Sequence, residues 1–161
     1  MIEQQYITFE FCDFNNSYHC ESYIRLLDHY MKDPMGDAEP LNAEKQRLLL
    51  EKLSVYPTAF ILFVLYDKEI IGFSTLFELF STFKVKPYLY IHDFVIHSDA
   101  RGKKLGKAMM DRIIDFAQEK DYCKITLEVR EDNQTAKKLY TLSGFEPCQP
   151  DMYFWSRSIN G

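Results

Sequence analysis

An α/β domain, with a mixed central sheet of six or seven strands and helices on both faces, is the fold class this sequence predicts. Three observations point to it. Ala59 to Tyr66 (AFILFVLY) is an unbroken apolar run, the composition of a strand covered on both faces. Leu105, Met109, Ile113 and Phe116 or Ala117 recur three or four apart, which stacks them along one side of a helix. The 161 residues are 47% hydrophobic and 16% aromatic, enough to build one real core, so residues 1–161 read as a single domain.

In chain order, Tyr6 to Cys12 has strand composition, and Asn15, Asn16 and Ser17 then offer caps for a helix through Tyr23, Ile24 and Leu27. Asp33-Pro34-Met35-Gly36-Asp37 is a loop by its Pro and Gly. Leu41 to Leu53 has apolar residues at helical spacing and stops before Pro57. Asp67-Lys68-Glu69 turns the apolar strand into a second one, Ile70 to Phe80, and Tyr88 to Ile96 (YLYIHDFVI) is a further strand. It runs directly into a glycine loop and then the helix that begins near Leu105. Ile125 to Val129 is expected as a strand and Gln134 to Leu142 as a short helix stopped by Gly144. An alternating strand near Met152 to Ser158 completes the set, and its open edge offers a pairing surface for a homodimer.

A net charge of -5 speaks against a general nucleic-acid binder, which needs a cationic surface to displace counterions from phosphates. Four cysteines without C-x-x-C spacing suit reduced packing thiols rather than a metal site or a disulfide scaffold. The N-terminus has no signal-peptide pattern and no apolar run is long enough for a membrane span, so a cytoplasmic protein without membrane partners is expected.

The chemistry concentrates in HSDARGKKLGKAMM, His97 to Met110. A helix N-terminus leaves about four N–H groups unpaired and carries roughly half a positive charge, so an anion is stabilised there. Gly102 and Gly106 permit close backbone approach, and Arg101, Lys103, Lys104 and Lys107 add charge. The Walker pattern fails because Ala108 stands where a hydroxyl is required, and the dinucleotide fingerprint fails because Lys104 holds its second glycine position.

Arg101-Gly102-Lys103-Lys104-Leu105-Gly106 resembles the [QR]-x-x-G-x-[GA] acyl-CoA loop of the GNAT N-acetyltransferase superfamily, with Lys104 in place of the preferred Gly. Lys104 is expected to be accommodated in helical backbone, since left-handed conformation is costly for a residue with a side chain. The resemblance continues in Asn133-Gln134-Thr135-Ala136-Lys137-Lys138-Leu139-Tyr140 followed by Ser143-Gly144-Phe145, similar to the superfamily's N-x-x-A-x-x-[FL]-Y-x-x-x-G-F segment.

The resemblance implies a GNAT-like domain that transfers acetyl from acetyl-CoA to an amine acceptor without a metal. It implies backbone contacts from Val95 and Ile96 to the pantetheine arm, and pyrophosphate contacts from the loop N–H groups, Gly102, Lys103, Lys104, Leu105, Gly106 and Lys107. Asn133 would be a polar contact to the coenzyme arm, although a residue at a helix start serves equally as an N-cap. Tyr140 would be the general acid for the departing thiolate, since a phenol stays protonated at neutral pH. His92 occupies the region where relatives carry a base, and its imidazole titrates near neutrality. As strand neighbours, His92 and Asp93 are expected to face opposite ways. Asp33 and Asp37, in the loop that lines the acceptor side of such enzymes, and Asp93 are the expected contacts to a small cationic amine. Acetylation of a protein N-terminus or lysine is the alternative among enzymes, and an acyl-CoA-binding sensor or interaction module without turnover is the alternative outside them.

Overall fold

The computed structural model describes residues 6–160. Its elements are β1 (Ile7–Phe11), α1 (Ser17–Lys32), α2 (Ala43–Ser54), β2 (Ala59–Tyr66), β3 (Glu69–Ser81), β4 (Lys86–Ile96), α3 (Leu105–Glu119), β5 (Ile125–Leu127) and α4 (Gln134–Leu142). Asn16 begins α1 by accepting from the N–H groups of Tyr18 and His19, and Asn42 begins α2 by accepting from Lys45 N–H. Each cap satisfies donors that a helix start cannot satisfy internally. Among the described residues no helix is long and apolar enough to cross a membrane.

The strands form one sheet in the order β1-β2-β3-β4-β5, antiparallel throughout except for the parallel pair β4 and β5. Alternation along β2 divides the core into two layers. Ile61, Phe63 and Leu65 pack with Tyr23, Leu26 and Leu27 of α1 on one face. Leu62 and Val64 pack with Leu105, Met109, Ile113 and Phe116 of α3 on the other. Helices therefore cover both faces as expected, and the run AFILFVLY is apolar because neither face meets water.

Five strands are described rather than six or seven. The expected strand at Met152 to Ser158 is absent: this stretch has no regular structure, and Met152, Tyr153, Phe154 and Trp155 are all exposed. Alternating apolar residues form a strand only where a neighbour accepts their backbone hydrogen bonds. β5 is also shorter than expected, ending at Leu127 instead of Val129.

Gly72 of β3 leaves no room for a side chain. A Cβ there would lie 2.6 Å from Val95 O and 2.8 Å from Val64 Cγ1, and the carbonyl cannot move without breaking the ladder. Gly72→Ala is expected to cost about 1 to 3 kcal/mol by overpacking. The urea midpoint of unfolding should fall with an unchanged denaturant slope; an unchanged midpoint would show that the sheet yields at no cost.

Candidate active site

β4 pairs with β3 as far as Ile96, but with β5 only from Leu89 to Ile91. Past Ile91 the two strands separate, and the far edge of β4 has no strand beside it. His97 N–H donates to Ile71 O at 2.8 Å, which fixes the phase of the antiparallel ladder. By that phase Val95 turns its backbone groups to Phe73, while Phe94 and Ile96 turn theirs to the open side. Of the two residues expected to hold a pantetheine arm, Ile96 is thus aimed at the gap and Val95 at β3.

At the end of this edge the chain makes a short 3-10 turn, Ser98–Ala100, and then the glycine loop. Gly102 has φ +82°, and Lys104 has φ 59° and ψ 16°, so both lie in the left-handed region. The expectation of helical backbone at Lys104 is therefore corrected. The loop shape is the one a glycine adopts freely, and the lysine holds it at a cost of about 1 to 2 kcal/mol. The result is a run of six N–H groups, Gly102 to Lys107, that find no hydrogen-bond partner among the described residues. They sit at the positive end of α3.

The cations are arranged differently from the expectation. Arg101 binds Asp33 at 3.1 Å, Lys103 lies over the Tyr66 ring at 4.9 Å, and Lys107 pairs with Asp111. Lys104 alone of the four has no recorded partner among the described residues. The cradle is a backbone structure first. A Cβ at Gly106 would meet Leu139 Cδ2 at 3.5 Å and Phe94 at 3.7 Å, ordinary contact distances, so this position admits alanine and little more.

On the other bank of the gap α4 begins at Asn133, whose side chain accepts from Ala136 N–H at 3.1 Å, so the capping role is realised. About two turns later, Tyr140 stands edge-on to Phe94 with ring centroids 6.1 Å apart, and also packs against Phe145. Burial, with Tyr30 adding to it, pushes the Tyr140 phenol up to about 12. It is a proton donor throughout the neutral range.

His92 and Asp93 do not face opposite ways. In the register, Thr75 is opposite Asp93 and Leu76 opposite Ile91, so His92 is the extra residue of a β-bulge. Asp93 lies beside Thr75, which bonds Tyr23 of α1, and the His92 ring tilts over Phe77 at 5.8 Å and stacks with Tyr90 at 6.0 Å. Both side chains therefore lie on the α1 face, with His92 Nδ1 3.9 Å from Asp93 Oδ1. The Asp93 side chain is 16% exposed, and its charge raises the phenols of Tyr23, Tyr30 and Tyr90 in addition to burial.

The α1 to α2 loop reaches over the gap from this face. Asp33 accepts from Met35 N–H and from Arg101, which hold its carboxyl below the usual range, so its charge is committed within the protein. Asp37 is exposed. Two residues outside the sequence-based expectation complete the surroundings. Arg130 binds Asp132 and reaches Pro34 O at 3.5 Å, and Glu128 accepts from Tyr90 OH at 3.0 Å. No motif marks either of them, because each acts across elements far apart in sequence.

Residues 23–145 match the model of the Acetyltransferase (GNAT) family. An uncharacterized N-acetyltransferase, YhfO, of Bacillus subtilis (strain 168) is 30% identical over 78 residues, covering 48% of this chain and 52% of that protein. The match thus spans about half of the relative's length. Among solved structures, an aminoglycoside acetyltransferase, meta-AAC0020, from an uncultured soil metagenomic sample, in complex with sisomicin, superposes with TM-score 0.79 at 15% identity, covering 97% of this chain and 99% of that one. A protein described as a probable acetyltransferase gives TM-score 0.79 at 22% identity over 96% and 99% of the two chains. A protein described as a transcriptional regulator, from Bacillus halodurans C-125, gives 0.78 at 16% over 95% and 99%. At these identities the superpositions establish the fold.

Lys104→Gly is expected to stabilise the protein by about 0.5 to 1 kcal/mol, the relief of left-handed strain less the added freedom of the unfolded chain. Equilibrium urea unfolding reads the change. A lower midpoint for the glycine variant would mean that the lysine side chain contributes more than its backbone angle costs.

Proposed function

The chain belongs to the GNAT acetyltransferase family, and on that premise we propose that it transfers an acetyl group from acetyl-CoA directly to the primary amine of a small cationic molecule. The observation that carries this reading is the run of six unpartnered N–H groups, Gly102 to Lys107, placed at the end of the free edge of β4. A pyrophosphate fits such a cradle because its charged oxygens need several converging donors and the helix end supplies a favourable field. Phe94 and Ile96 would hold the amide-bearing arm by their backbone, which aligns the thioester along the gap towards Tyr140.

The reaction forms a C–N bond and breaks a C–S bond. The amine must arrive neutral or lose its proton on attack, and the thiolate must gain one. Tyr140 is the donor to sulfur: its buried phenol stays protonated and stands on the α4 bank beside Phe94. His92, on the α1 face of the bulge, is the base or orders the water that serves as base. Asp93, largely sheltered and on the same face, is the carboxylate that attracts the ammonium form of the acceptor. Asp33 is assigned a different part from the one its sequence position suggests, holding the acceptor loop to Arg101, with Asp37 at the exposed rim of that loop.

A small acceptor is favoured over a protein chain by one feature. The loop above the gap is tied on one side to Arg101 and on the other to Arg130, which leaves a bridged cleft rather than an open trough for an extended peptide. Lys104 does not weigh against catalysis, because its left-handed backbone keeps the loop in the glycine-like shape. A cytoplasmic site of action suits four cysteines that are all free thiols, and the net charge of -5 suits an amine ligand better than a nucleic acid.

Tyr140→Phe removes only the hydroxyl. It should lower the rate of acetyl transfer by roughly 10²-fold to 10⁴-fold while acetyl-CoA affinity barely changes. The fair measurement is a single-turnover one with a panel of small polyamines and amino sugars, since product release can mask chemistry in the steady state. An undiminished single-turnover rate would leave Tyr140 as a packing residue, and thiol release that no amine accelerates would replace the transferase reading by that of an acyl-CoA-binding module.

A further inference from the structure

His29 of α1 and His97 at the end of β4 are two imidazoles that the chemistry at Tyr140 and His92 does not use. Their rings stack, with centroids 4.2 Å apart and planes 17° from parallel. Each ring also accepts a hydrogen bond from the backbone of the short turn between β4 and the glycine loop. Ser98 N–H donates to His29 Nε2 at 3.3 Å, and Asp99 N–H donates to His97 Nδ1 at 3.2 Å. The turn is closed by Ala100 N–H to His97 O at 2.9 Å and Arg101 N–H to Ser98 O at 3.2 Å, directly before the free N–H groups begin at Gly102. The two rings therefore set the direction in which the loop leaves β4, and His29 carries that setting across from α1.

An imidazole accepts only at a nitrogen without a proton, and an imidazolium has no acceptor. Both bonds thus require neutral rings in defined tautomers, with the proton on Nδ1 in His29 and on Nε2 in His97. A proton added to either ring sets N–H against N–H, and two stacked cations repel. The charges around the pair are Arg101 of the loop, Asp33 at the end of α1 and Asp99 of the turn, whose Oδ2 is 3.8 Å from His97 Nδ1. Burial first, then His97 and Arg101, hold His29 below its ordinary value, against the opposing pull of Asp33 and Asp99. The neutral ring's contribution to stability is therefore complete above about pH 6.5 and is lost as the pH falls from there to the depressed folded value.

We propose that His29 and His97 are positioning residues that hold the pyrophosphate loop in its binding shape only while both rings are neutral, so that acetyl-CoA and protons on the pair oppose each other's binding. The linkage to acetyl-CoA rests on the reading of Gly102 to Lys107 as the pyrophosphate cradle, whereas the neutral pair's hold on the turn does not.

Long-range proton–nitrogen correlation spectra read the tautomers, and His29 should carry its proton on Nδ1. Hydrogen exchange tests the hold without ligand. The double variant His29→Gln, His97→Asn keeps an oxygen acceptor near each nitrogen's place and takes up no proton. At about pH 5 the amide protons of Ala100 and Arg101 should exchange roughly fivefold or more faster in the wild type than in this variant. Calorimetric titration with acetyl-CoA from about pH 8 to about pH 5 tests the linkage. Wild-type affinity should fall roughly fivefold or more further than the variant's, since the ligand's own phosphate titrates alike for both. By reciprocity, bound acetyl-CoA should lower the pH at which His29 protonates.

A charged pair also attracts phosphates, so a bound ligand that raises that pH, or leaves it unmoved, overturns the proposal. A His29 proton on Nε2 overturns it as well, and so do equal exchange and equal pH response in the two proteins. Absence of acetyl-CoA binding at about pH 8 defeats the coenzyme reading and the linkage with it, and the exchange comparison then decides the pair's hold on the turn. The tautomers and the direction in which ligand moves the His29 titration are read on the wild type alone, so the test stands even if the variant misfolds.

Discussion

Past Ile91 the backbone of β4 has a partner on one side only, and the remaining features of the site follow from that half-paired edge. Backbone N–H and C=O groups away from water must be satisfied, so a free edge in the middle of a sheet is costly unless a ligand or water supplies the bonds. β5 ends at Leu127 and turns into the loop that starts α4, which puts Tyr140 on the opposite bank of the gap. β4 ends at Ile96 and turns into the loop that starts α3, which puts six unpartnered N–H groups at the gap's head. One divergence thus leaves a groove lined by free backbone groups of β4, with unpartnered N–H groups at one end and the Tyr140 phenol along its side.

A second local irregularity decides which way His92 and Asp93 face. Regular alternation would send His92 and Asp93 to opposite sides of the sheet. The bulge adds His92 to β4 without a partner on β3, so both side chains reach the α1 face and the α3 face keeps Ile91 and Phe94 for its core. The cost is one interrupted step in the ladder. Ser74 Oγ donates to Asp93 O at 2.8 Å within that interruption, so a side chain satisfies a carbonyl at the bulge.

Much of this was legible in the residues. The caps at Asn16 and Asn133, the apolar stripe of α3 and the unbroken run of β2 each state their structure by local physics, and the structure has each of them. The gap was hinted at only by the backbone contacts that the resemblance implies for Val95 and Ile96, because nothing in Ile125 to Val129 says where pairing stops. The bulge was invisible because alternation is a rule about regular strands, and HDFV carries no glycine or proline to announce an exception. The backbone of Lys104 was misread for the opposite reason: a residue-level penalty of about 1 to 2 kcal/mol was weighed without the loop that imposes it. The destinations of Arg101, Lys103 and Lys107 depend on Asp33, Tyr66 and Asp111, and of these only the Lys107 to Asp111 spacing of four residues signals itself in sequence.

The central claim is that backbone donors at the start of α3, rather than the surrounding lysines, fix the coenzyme by its pyrophosphate. Calorimetric titration of the wild-type protein with acetyl-CoA, set beside titration with S-acetyl-pantetheine, which lacks the pyrophosphate, tests it most directly. Hydrogen bonds to charged groups contribute roughly 1.5 to 3 kcal/mol each, so two of the six donors already predict affinity for acetyl-CoA on the order of 100-fold or more above that for the truncated thioester. The preference should persist when Lys103 and Lys107 are replaced by methionine. Equal affinities for the two thioesters, or a preference that disappears with those lysines, would contradict it.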